Sequence, residues 1–123
     1  MNYFVSSPIK TQWKMGSSEF LAKLTEHWPG AKVRRLTDPN FSHGWEIEMP
    51  RGRLDGDFNP RFSAISISGD FEDCAAFALW FRSLIPPSVP LLFFDECFNV
   101  DTPLTDQTTV ADIVTAFSWS KRG

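Results

Sequence analysis

Chemically versatile side chains are scarce in this sequence. Its 123 residues include two cysteines, two histidines and one tyrosine. Cys74, Cys97, His27 and His43 are scattered, with no Cys-x-x-Cys or His-x-x-x-His spacing, so no metal site is expected from them. One pair of cysteines without an export signal does not make a disulfide framework, and reduced thiols are expected. Long apolar runs are missing too. The longest, Ala75 to Phe81 and Val89 to Phe94, fall far short of the ~20 residues a bilayer-spanning helix needs. The opening Met1-Asn2-Tyr3-Phe4-Val5-Ser6-Ser7-Pro8 has no basic start and no adequate apolar run, so a cytoplasmic location is expected. A phosphate loop, a dinucleotide fingerprint and a Gly-x-Ser-x-Gly elbow are all absent, and no cofactor is expected.

Basic residues run out in the second half. Residues 1–61 carry nine Lys or Arg against seven Asp or Glu, a net of +2; residues 62–123 carry three against eight, a net of −5, which together give the overall −3. Between Phe62 and Ser120 the only basic residue is Arg82. Asp70, Glu72 and Asp73 are accounted for by the positive end of a helix dipole. That leaves Asp95, Glu96, Asp101 and Asp106 as either an ordinary solvated edge or a patch that attracts a basic protein partner and speeds its arrival.

Apolar residues are plentiful: 42% of the chain is hydrophobic, with 12 Phe and 5 Trp, enough for one packed core and too much for a disordered chain. A single domain over residues 1–123 is expected. Tyr3-Phe4-Val5 reads as a first strand. Gly16-Ser17-Ser18 offers hydroxyl caps for a helix from Glu19 to Trp28, whose Phe20, Leu21, Leu24 and Trp28 recur at helical spacing. Lys32–Leu36, Trp45–Met49 and Arg61–Ser68 read as strands, and Asp55-Gly56 as a turn. The strongest helix runs from about Phe71 to Ile85, capped by Asp70 and ended by Pro86-Pro87. Leu91-Leu92-Phe93-Phe94 is continuously apolar, as in a strand covered on both faces, and with Phe77 and Phe81 the residues Leu92 and Phe94 are expected at the centre of the core. Phe98–Asp101 reads as a short edge strand, and Thr109 with Asp112 forms a capping pattern for a last helix from Val110 to about Phe117. Mixed elements with hairpin signals in the middle imply an α+β fold: an antiparallel or mixed sheet with two to three helices on one face, specifically a ferredoxin-like core plus a C-terminal helix.

Asp55-Gly56-Asp57 and Asp95-Glu96 are the carboxylate pairs available for acid–base chemistry, but a turn and a strand exit explain them as well. Lys32, Arg34, Arg35, Arg51, Arg53 and Arg61, with Phe41, Trp45, Phe58 and Phe62 nearby, resemble a nucleic-acid face, yet a pI near 5.3 opposes binding to phosphate backbones. Cationic sheet edges that discourage aggregation explain them better. Trp28, Trp45 and Trp80 fall within periodic elements and belong to the core or its margin. Trp13 and Trp119 lie near the ends of the fold and are candidates for exposed anchors, although closing off those ends by packing is the commoner use of such residues.

The stretch from Gly69-Asp70-Phe71-Glu72 through Trp80-Phe81-Arg82-Ser83-Leu84-Ile85-Pro86 to Leu91-Leu92-Phe93-Phe94-Asp95-Glu96, in a small acidic α+β chain without catalytic motifs, resembles in type the immunity proteins that bacteria pair with contact-dependent or polymorphic toxins. The resemblance implies a cytoplasmic, non-catalytic protein-binding module that neutralises a basic toxin; the candidate contact residues, Asp95, Glu96, Asp101, Asp106 and Trp119, come from the charge layout and the anchor positions above and not from the resemblance. The alternatives are a small carboxylate-dependent enzyme and a self-associating structural protein.

Overall fold

In the computed structural model, which describes residues 2–8, 13–61, 63–96 and 100–122, the strand-forming runs join into one sheet. The chain order is β1 (Asn2–Ser6), α1 (Ser17–His27), β2 (Lys32–Arg35), β3 (His43–Met49), β4 (Gly52–Asn59), β5 (Ala64–Ser68), α2 (Phe71–Ser83), β6 (Leu91–Asp95), β7 (Asp101–Leu104) and α3 (Val110–Arg122). The spatial order is β2-β3-β4-β5-β1-β6-β7, and every neighbouring pair is antiparallel. The α+β class and the mixing of strands with three helices are therefore as the sequence implies. The sheet has seven strands where a ferredoxin-like core has four, because β2 to β5 form one continuous meander and β7 extends the other side.

Local chemistry accounts for the helix ends. Asp70 accepts from the backbone N–H groups of Glu72 and Asp73 and starts α2. Thr109 and Asp112 cap α3 reciprocally: the Asp112 N–H donates to Thr109 Oγ1 at 3.2 Å and the Thr109 N–H to Asp112 Oδ2 at 2.9 Å. Gly16 is the N-cap of α1 and offers no side-chain cap; the Ser17 hydroxyl instead pairs with that of Ser42 at 2.7 Å.

Strand alternation then sorts the sheet into two faces. One core-facing row runs Val33–Trp45–Gly56–Ile67–Tyr3–Asp95, and the next runs His43–Phe58–Ile65–Val5–Phe93–Thr102. All three helices cover this face. Phe20 of α1 stacks on Phe58 at 4.5 Å, Phe77 of α2 on Trp45 at 5.4 Å, and Phe117 of α3 meets Phe93 edge-on at 5.4 Å. Trp28 and Trp80 close the margin of this layer, 4.8 Å apart.

Two expectations are corrected by this arrangement. Asp55-Gly56 is not a turn but the middle of β4. A Cβ on Gly56 would come within 2.2 Å of Trp45 Cζ2, so glycine is what lets the buried indole lie across the neighbouring strand. Leu92 and Phe94 are not in the core: Leu91 and Phe93 are buried there, while Leu92 and Phe94 are half-buried and point to the face that no described helix covers. Phe77 and Phe81 are fully buried, as expected.

Arg82 ties the C-terminal third together. Only 4% exposed, its guanidinium donates through Nη1 to the carbonyls of Val89 (2.6 Å) and Leu104 (3.4 Å), and through Nη2 to those of Ile85 (3.1 Å) and Pro86. Burial lowers its pKa, and Asp106 opposes that shift.

Candidate functional site

The face opposite the helices carries the candidate site. One row across it reads Arg34–Gly44–Asp57–Ser66–Phe4–Phe94–Asp101. At the β2–β4 side charges meet charges in register: Lys32 lies opposite Glu46 and Arg53 opposite Glu48, while Arg53 also pairs with Asp55 at 3.4 Å. Gly44 leaves the gap through which Arg34 and Asp57 approach each other, since a Cβ there would sit 2.8 Å from Asp57 Oδ1 and 3.1 Å from Arg34 Cζ. Burial pushes the Asp57 carboxyl above its ordinary range, and Arg34 pulls it back. These acids are engaged with cations, which leaves the Asp55–Asp57 pair with a structural use.

Past the small side chains of Ser66 and Ser68 the character changes. Phe4 and Phe94 stack with centroids 5.4 Å apart and planes 19° apart, flanked by Leu92 and Pro103 on the same face. Phe4, Leu92 and Phe94 are half-buried with no described helix over them, so part of this aromatic surface meets solvent.

Both edges of the sheet are guarded. Every residue of β2 is exposed and three of its four are cationic. On β7, the Asp95 N–H reaches the Val100 carbonyl, so residues 100, 102 and 104 bond inward and residue 103 turns its backbone nitrogen outward. Pro103 occupies that position and offers no donor to an incoming strand.

The acids singled out from the sequence are not one patch. Glu96 and Asp101 are exposed at the same end of the β6–β7 hairpin, and Asp101 is in register with Phe94. Asp106 lies beyond the other end of β7, where it lines a depression of about 300 Å³ with Arg82, Thr105 and Thr108. Asp95 is 6% exposed, on the core-facing side opposite Tyr3, so it presents no charge to a partner. Tyr3 there has its pKa raised, first by burial and then by the charges of Cys74, Asp95 and Asp70. Trp119 falls in α3, and its side chain lies outside the described residues, as do Phe62 and the Cys97–Asn99 segment. Trp13 is half-buried against the core.

Other candidates lose their chemistry in the fold. Cys74 is fully buried in α2, and burial pushes its thiol up to about 12, far from a nucleophile's range. Among the described residues no group of three His, Cys, Asp or Glu is placed to hold a metal ion. Trp45 and Phe58 are buried, so they cannot interleave with the cations, and Arg51 is engaged with Asp70 at 3.8 Å and Glu72 at 3.0 Å. No helix among the described residues is long and apolar enough to cross a membrane.

The open-face aromatics are not visible in the sequence. Tyr3-Phe4-Val5 and Leu91–Phe94 lack an apolar–polar alternation, so nothing in them says which side meets the helices. No family model, curated protein or solved structure matches the chain.

Proposed function

We propose that the chain is a non-catalytic protein-binding module that receives a basic partner on the aromatic half of its open sheet face, acting in a bacterial cytoplasm as an immunity protein covering a cognate toxin. The observation that carries this reading is the stacked Phe4–Phe94 pair, half-buried on the open face of a sheet whose two edges are both guarded. Stacked aromatics supply contact area at little entropic cost and dominate interface energetics. Glu96 and Asp101 beside them give the face the sign of charge that steers a basic surface onto it. Both edges being unfavourable for strand addition supports face-on docking over β-augmentation.

The test is calorimetric and kinetic titration of the purified chain with the product of the adjacent reading frame. Glu96→Gln with Asp101→Asn is expected to slow association roughly tenfold at low salt and to change it little at high salt, with thermal unfolding unaltered. Unchanged association at both salt concentrations removes the acidic contribution. Absence of any complex, or turnover of a substrate by the chain alone, overturns the reading.

A further inference from the structure

We draw no further inference here: the strongest candidate, the cleft of about 320 Å³ that Arg35, His43 and Arg61 line beside the uncapped start of α1, carries nothing because it is a helix N-terminus whose lining also holds the Asp38 carboxylate, with no second observation among the described residues that points to a ligand.

Discussion

The two halves of the open sheet face solve the same problem in opposite ways. Across β2, β3 and β4 each exposed position is occupied by a charge that finds its opposite on the same or the next strand, as in Lys32 with Glu46 and Arg53 with Glu48 and Asp55. Such a ladder needs no cover, because each group is satisfied by water or its neighbour, although exposed pairs of this kind add little stability. Across β1 and β6 the same face carries Phe4, Leu92 and Phe94, which are satisfied only by more apolar contact. A solvated face costs nothing to leave polar, so the aromatic half is the part of the surface that the proposed partner would cover.

The sharpest test of that contrast is made within one strand. Phe93, fully buried, and Phe94, half-buried, are neighbours on opposite faces of β6. Phe93→Ala is expected to cost ~3–5 kcal/mol in urea unfolding and Phe94→Ala ~1 kcal/mol, since only the first leaves a cavity in the core. Equal costs would mean that the open half is packed like a core and is no free surface. The contrast breaks in another way if the aromatic half is rewritten in the style of its neighbour. Phe4→Lys with Phe94→Glu replaces the stacked pair by a cross-strand ion pair, and should leave the fold standing while weakening partner binding by about 100-fold, or ~2.7 kcal/mol. Full binding by that variant, measured by calorimetry, would move the interface off this face.

The smallest effect belongs to the charged half. Burial raises the Asp57 carboxyl, so the folded chain holds that proton more tightly than the unfolded one. Its stabilising contribution is therefore complete below the unfolded value and is lost as pH rises through the folded one. Asp57→Asn should be as stable as the wild type or slightly more so at pH 7, and the wild type should gain on the variant as the pH falls to about 3.5. A variant destabilised at pH 7 but not at about pH 3.5 would show that the approach of Arg34 outweighs desolvation, and that the ladder contributes more than solubility.

Which parts of this were legible in the sequence follows from what distinguishes one side of an element from the other. The first two helices were readable because Phe20 and Leu24, or Asp70 with Phe77 and Phe81, combine a cap or stop with a 3.6-residue stripe. Trp45-Glu46-Ile47-Glu48 was readable because polar and apolar residues alternate. Leu91-Leu92-Phe93-Phe94 was not, because four apolar residues in a row suit both faces, and only the position of the helices decides that Phe93 goes in and Phe94 out. Asp55-Gly56 misled for a related reason: the glycine answers to Trp45 across the strand pair, a long-range demand that looks locally like a turn. Of the site, Glu96 and Asp101 were visible as charge. The split of the acids came only with the hairpin, which buries Asp95 and sends Asp106 to the far end of β7.

Arg82 sets how the molecule opens. An edge strand followed by a terminal helix would ordinarily fray ahead of the rest, with backbone amides exchanging through small local openings. Here one buried guanidinium holds the carbonyls of Ile85 and Pro86 after α2, of Val89 before β6 and of Leu104 at the end of β7. Releasing β7 removes one of the four carbonyls that hold this buried guanidinium and disturbs the packing around it, which opposes departure of the strand alone. Hydrogen exchange at β7 is thereby coupled to that of α2, and the outermost strand on this side belongs to the same cooperative unit as the core helix.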